Sequence, residues 1–279
     1  MNRGHGVEQG SKKEMINGVA IAYDDVGSGP AIVLLHGYPF NRSLWRNQVS
    51  ALRNDFRLIV PDLRGHGDSA VTRGSATMEL LATDVSALLD HLAISEATVG
   101  GLSMGGYVAL AFCRLFPARV QSLVLAATRA QADTEEAKQN RAMQAQKARA
   151  EGMEGIADAM LPKLLTADTV AKNPDVVKHV RGMMAGTSPE GAAAALEGMA
   201  TRQDQTPFLP QITARTLILV GREDLITPVA DAELMHHKIS RSHLHVIEGA
   251  GHVLNLERAE EFNGAFSRFL QERCNKGVG

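Results

Sequence analysis

Short apolar runs alternate with amphipathic stretches along most of this chain. AIVLLH (Ala31 to His36) and RLIVPD (Arg57 to Asp62) are continuous β-rich runs that predict buried strands, and SLWRNQVSALR between them predicts a helix. From Thr77 the positions Leu80, Leu81, Val85, Leu88, Leu89 and Leu92 recur at the helical period, with Thr77 placed to cap the first turn. ATVGGLS (Ala97 to Ser103) predicts a strand running into a turn, GGYVALAFCRLFP a helix stopped by Pro117, and VQSLVLAA (Val120 to Ala127) the next strand. Strand, helix, strand in repetition is the pattern of a mostly parallel, doubly wound α/β sheet.

Strand signals then cease between about Thr128 and Phe208. Alanine-, methionine- and charge-rich segments such as EEAKQNRAMQAQKARAEG take their place and predict helices. Strands return at ARTLILVG (Ala214 to Gly221) and HLHVIEG (His243 to Gly249), and RAEEFNGAFSRFLQE predicts a last helix. The expected organisation is a polar, disordered leader over residues 1–14, an α/β core over 15–127 that opens with a hairpin, a helical cap inserted over 128–208, and the rest of the core over 209–279.

Length and charge narrow the function classes. A chain of 279 residues can bury a large core, and a formal charge of −2 supplies no electrostatic reason for a nucleic acid partner. The polar start lacks the apolar run of a secretory signal, and the longest apolar runs are too short to cross a bilayer, so a cytoplasmic protein is expected. Cys113 and Cys274 stand far apart with no CxxC pattern, so neither a metal site nor a disulfide is expected, and Cys113 reads as a buried small hydrophobe.

Against this frame Gly101-Leu102-Ser103-Met104-Gly105 matches G-x-S-x-G, with the preceding strand and following helix that give the motif meaning. A serine hydroxyl needs a base within hydrogen-bond reach and a third group to orient that base. The carboxyl ends of parallel strands share one edge, where ligands bind, and the two late strands each deliver one candidate there. Gly221-Arg222-Glu223-Asp224 follows one strand, and Glu248-Gly249-Ala250-Gly251-His252 follows the other. Of ten histidines, His252 alone has this address; His243 and His245 alternate within a strand and His236 and His237 lie in a helix. Asp224 is favoured over Glu223 as the orienting acid because a turn and the helix-starting Thr227-Pro228 follow it. Asp62 reads as a structural acid holding the loop Arg64-Gly65-His66-Gly67. Two backbone N–H groups should face the developing oxyanion, that of Met104 and one from His36-Gly37-Tyr38-Pro39, for which Tyr38 is the choice.

In order along the chain, HGYPF, PDLRGHGDS, GLSMGG, GREDLITP and GAGHVLNLE resemble the α/β-hydrolase superfamily over nearly the whole core. HG-x-P followed by Trp45, together with GLSMGGYVAL, is similar to its cofactor-free haloperoxidase, esterase and 3-oxoadipate enol-lactonase branch. The resemblance implies ester or lactone hydrolysis through an acyl-enzyme, with no metal or organic cofactor, and an oxyanion hole at Tyr38 and Met104. It also leaves open perhydrolase chemistry and carbon–carbon bond hydrolysis. Ser103 at the turn argues against the dehalogenases and epoxide hydrolases of similar layout, which carry aspartate there. A receptor that merely holds a small ligand is the non-enzymatic alternative. The insertion carries Met143, Met153, Met160, Met183, Met184 and Met199 with Leu161, Leu164 and Leu165, so a small hydrophobic ester or lactone, acyl-homoserine lactones among them, is the expected partner.

Overall fold

The computed structural model describes residues 11–272. Eight strands form one sheet: β1 (Ser11–Ile16), β2 (Val19–Val26), β3 (Ala31–Leu35), β4 (Arg57–Pro61), β5 (Ala97–Leu102), β6 (Val120–Ala126), β7 (Arg215–Gly221) and β8 (Ser242–Ile247). Their spatial order is β1-β2-β4-β3-β5-β6-β7-β8, with β1 and β2 antiparallel to their neighbours and all other pairs parallel. The doubly wound α/β expectation holds.

Period-2 alternation sorts each parallel strand between two cores. Val33 and Leu35 of β3 face one apolar cluster, while Ile32 and Leu34 face the other. The first face is covered by α2 (Met78–His91), α3 (Met104–Leu115) and α9 (Val229–Lys238), the second by α1 (Arg46–Leu52) and α11 (Ala259–Gln271). Thr77 caps α2 as its position in the sequence predicts, its Oγ1 accepting from the Leu80 N–H at 3.1 Å.

Between β6 and β7 the chain forms α4 (Glu135–Glu151), α5 (Glu154–Leu164), α6 (Ala167–Lys172), α7 (Pro174–Ala185) and α8 (Pro189–Ala200), and the short α10 (Leu254–Glu257) precedes α11. α4 pairs with α8 and extends the first cluster; α5 pairs with α7 and extends the second. α8 lies directly on the backbone before α2, where the Ala76 N–H donates to Ala194 O at 2.9 Å. A Cβ on Gly198 would intrude into the Ala76 carbonyl and the Thr77 N–H, both main-chain groups. Gly198→Ala is therefore expected to destabilise by about 1–3 kcal/mol through overpacking, more than the roughly 1 kcal/mol of helix propensity it gains. A urea midpoint equal to or above the wild type's would show that the helix can move away.

The leader expectation needs correction where residues 11–14 are concerned. They pair with β2 from Ser11↔Asp24 to Glu14↔Ile21 and so belong to β1. The signal was missed because β1 is an edge strand with five of its six residues exposed, so its ladder forms without apolar alternation. Residues 1–10 of the expected leader, and Cys274, lie outside the described residues.

Candidate active site

β3 pairs with β4 on one side and β5 on the other, so the chain reverses direction of winding at β3 and β5. The loops leaving such a switch point diverge and open a crevice. Tyr38 lies on the loop after β3, Ser103 ends β5, and Asp224 and His252 follow β7 and β8. All four therefore sit at the carboxyl edge of one parallel sheet.

Ser103 occupies the junction of β5 and α3 at φ 56° and ψ −115°, a left-handed conformation that costs a serine on the order of 1–3 kcal/mol. The surroundings hold it there. Its N–H donates to Ala126 O at 2.9 Å, and its carbonyl accepts from the Gly106 N–H at 2.8 Å and from Thr128 Oγ1 at 2.9 Å. The flanking glycines are there for space: a Cβ on Gly101 would strike the Gly105 carbonyl, and one on Gly105 the carbonyls of Leu35 and His36. The side chain that results is half-buried at the sheet edge.

His252 and Asp224 are directly hydrogen-bonded. The imidazole Nδ1 lies 2.8 Å from Asp224 Oδ2 and 3.0 Å from Oδ1, with both side chains buried. The same carboxylate accepts the N–H groups of Ile226 at 2.8 Å and Thr227 at 2.9 Å and the Thr227 hydroxyl at 2.6 Å. Burial alone would push the Asp224 carboxyl up, but the imidazole and the Thr227 donors outweigh it and hold the group below the ordinary carboxylate range. An ionised carboxylate only accepts, so it is matched by a hydrogen on Nδ1, which in the corresponding neutral tautomer puts the ring's lone pair on Nε2. Glu223, the other carboxylate on this loop, is exposed. No hydrogen bond joins Ser103 Oγ to His252 among the described residues; contacts of this type often close only when substrate is bound.

The N–H groups of Tyr38 and Met104 make no hydrogen bond within the described residues. Met104 opens α3, so its N–H has no acceptor in the helix and carries the positive end of the helix dipole. The β3 loop is braced from beneath and above. Buried His36 accepts the Leu63 N–H on Nε2 at 2.9 Å and contacts its neighbour's carbonyl, Gly37 O, through Nδ1 at 2.9 Å. Desolvation drives its pKa down to about 4, so it is a neutral structural imidazole. From the insertion, Thr187 Oγ1 donates to Pro39 O at 2.7 Å. The Asp62 carboxylate bonds outside the expected Arg64-Gly65-His66-Gly67 loop, accepting the N–H groups of Arg42 at 2.7 Å and of Asp68, just past the loop, at 2.8 Å and pairing with the Arg42 guanidinium.

Thr128 and Thr227 were not legible as site residues. Each acts through a tertiary contact, and only the short spacing of Asp224 and Thr227 hinted at one. The methionines of the insertion need sorting as well. Met143 is 58% exposed and faces solvent. Met153 and Met199 pack into the first core cluster and Met183 and Met184 into the second, while half-buried Met160 touches both.

A family model described as the alpha/beta hydrolase fold matches residues 30–259. 3-oxoadipate enol-lactonase 2 of Acinetobacter baylyi is 34% identical over 255 residues, spanning 91% of this chain and 94% of that protein. Among solved structures, a thermophilic esterase from Thermogutta terrifontis superposes with a TM-score of 0.92 at 41% identity, covering 94% of this chain and 98% of that one. The enol-lactonase from Burkholderia xenovorans LB400 does so with a TM-score of 0.87 at 34% identity, covering 93% and 100%. The chain belongs to the α/β-hydrolase family. Its similarity runs to the esterases and enol-lactonases of that family. Among the described residues, no helix is long and apolar enough to cross a membrane.

Proposed function

We propose that the protein is a serine hydrolase that cleaves carboxylic esters or lactones through an acyl-enzyme. The observation that carries this reading is the buried Asp224–His252 hydrogen bond at the sheet edge where Ser103 is held in a strained turn. Relatives named as esterase and enol-lactonase over nine-tenths of the chain support the bond type.

In this reading Ser103 Oγ attacks the acyl carbon while His252 Nε2 takes its proton. The imidazolium keeps its Nδ1–H on Asp224, so the positive charge forms beside a carboxylate already held by Thr227. The carbonyl oxygen, now negative, accepts from the N–H groups of Tyr38 and Met104. His252 returns the proton to the departing alkoxide, or to the ring oxygen of a lactone, and water then repeats the sequence on the acyl-enzyme.

For the acyl group, the apolar residues of α5 next to the His252 loop support a hydrophobic chain. Half-buried Met160 and Leu161 lie one helical turn before Leu164 on α5, and the Leu164 carbonyl accepts the His252 N–H at 3.0 Å. An acyl-homoserine lactone, a ring ester with an apolar tail, combines both features.

Two measurements test the reading together. A fluorophosphonate should modify the native protein once, on the peptide bearing Ser103, and p-nitrophenyl esters and lactones of graded chain length should be turned over. A protein that binds these compounds without turnover and takes no label is a receptor, and the proposal fails.

A further inference from the structure

The loop that carries His252 is fastened to the inserted helices as well as to the sheet. The last carbonyls of a helix have no partner within it, and at the end of α5 the Leu164 carbonyl accepts the N–H of His252 at 3.0 Å and of Val253 at 3.3 Å. One residue pair further on, Glu257 closes the same junction. Its carboxylate is buried, with Oε1 accepting the Thr166 N–H at 2.8 Å and Oε2 the Gly251 N–H at 2.7 Å. Those donors are 91 and 6 residues away from Glu257 along the chain. A buried carboxylate is costly unless hydrogen-bonded, and the donors that offset the cost here come from the insertion on one side and from the neighbour of His252 on the other.

We infer that Glu257 is a positioning residue that clasps the inserted helices to the loop of His252, so that displacement of the Leu164–Thr166 segment displaces the imidazole. The inference rests on His252 being the general base. Both carboxylate oxygens are engaged, each by an N–H, and this makes the site specific for a carboxylate. A glutamine has one oxygen and must turn its NH₂ group toward one of two N–H donors. The loop would then shift or lose a tether, and a displacement on the order of 1 Å at a reacting group lowers rate by about 10². The negative end of the α5 dipole also points at this loop, where the imidazolium forms.

The clasp can be cut from the other side without touching Glu257. Thr166 has φ −67° and ψ 154°, and Leu165 before it has φ −116° and ψ 147°, so the backbone dihedrals of both positions suit a Thr166→Pro change, whose Cδ would displace the Glu257 carboxylate from its 2.8 Å contact. Proline removes the N–H that donates to Glu257 and also the Oγ1 that caps α6. Thr166→Ala removes the Oγ1 contacts with Thr169 and keeps the N–H, so comparing the two isolates the clasp. Turnover of p-nitrophenyl butyrate, measured well below each variant's Tm, is expected to fall about 10- to 100-fold in kcat for Glu257→Gln, with KM changed by less than about threefold. Thr166→Pro should fall at least about fivefold in kcat below Thr166→Ala, again at near-constant KM. A residue that served only stability would lower Tm and leave kcat of the folded protein alone.

Equal kcat for Thr166→Pro and Thr166→Ala overturns the inference, whether or not Glu257→Gln folds; so does a folded Glu257→Gln with kcat within about twofold of wild type. His252→Ala in the same assay separates the two levels of the argument. If that variant retains full activity, the base assignment falls and the clasp with it. If it is inactive while Thr166→Pro matches Thr166→Ala, only the clasp falls.

Discussion

Ser103→Ala is expected to lower kcat/KM toward p-nitrophenyl esters by about 10⁶-fold while leaving the fold and the binding of substrate intact. The size follows from the proposed role: with Ser103 as nucleophile, removing Oγ leaves no acyl-enzyme and nothing for His252 and Asp224 to activate, so the expected loss approaches that of removing all three. A residual rate of about 10³–10⁴ over water should survive, because the oxyanion donors of the proposed mechanism, the N–H groups of Tyr38 and Met104, are main-chain and unchanged by the substitution. The substitution should also raise stability slightly or leave it unchanged. Alanine at φ 56° has no more strain than serine, and the four hydrogen bonds that hold this residue use its backbone. Steady-state kinetics with the active-site concentration set by titration of the wild type, together with thermal melting, checks both halves. Activity within about 100-fold of wild type, with contamination excluded, would remove Ser103 from the chemistry.

Much of the candidate site is legible in the sequence because its residues stand at strand ends. The runs Ala31 to His36, Ala97 to Ser103, Ala214 to Gly221 and His243 to Gly249 announce strands by their apolar character, and in a parallel sheet the residue just past each run must lie on the common edge. Asp224 and His252 could be paired on that ground across 28 positions, and they are hydrogen-bonded in the structure. What could not be read depends on groups with no periodicity. Thr128 matters because its hydroxyl meets the Ser103 carbonyl, and Thr227 because its hydroxyl meets Asp224. The insertion was legible as helices, but its attachment was not: Leu164 contributes a carbonyl and Thr166 an N–H, main-chain groups that every residue type carries. The polar strand Ser11–Ile16 leaves no apolar signature for a related reason, since an edge strand is held by its backbone ladder and not by burial of alternate side chains.

Asp224→Asn is expected to reduce kcat by about 10⁴-fold with little change in KM or Tm, and the hydrogen bonds around Asp224 say why. Oδ1 accepts two main-chain N–H groups, from Ile226 and Thr227, as well as lying 3.0 Å from the imidazole. An asparagine must keep its oxygen at that position, because an NH₂ group there would face two donors. Its NH₂ group therefore replaces Oδ2, which lies 2.8 Å from His252 Nδ1 and 2.6 Å from Thr227 Oγ1. The hydroxyl can rotate to accept, so its bond survives. The imidazole cannot accept on Nδ1 while also carrying a proton there, so it takes the tautomer with hydrogen on Nε2. That nitrogen then donates toward Ser103 and has no lone pair for the serine proton. Thus the geometry is preserved and the base is lost. The contrast with Asp224→Ala sharpens the test: alanine leaves the N–H groups of Ile226 and Thr227 without an acceptor, and unpaired buried donors cost about 1–3 kcal/mol each. Asparagine should thus be nearly as stable as wild type and alanine clearly less so. An Asp224→Asn protein within about tenfold of wild-type kcat would mean that the Nδ1 proton does not depend on this carboxylate, and Asp224 would then be a structural acid like Asp62.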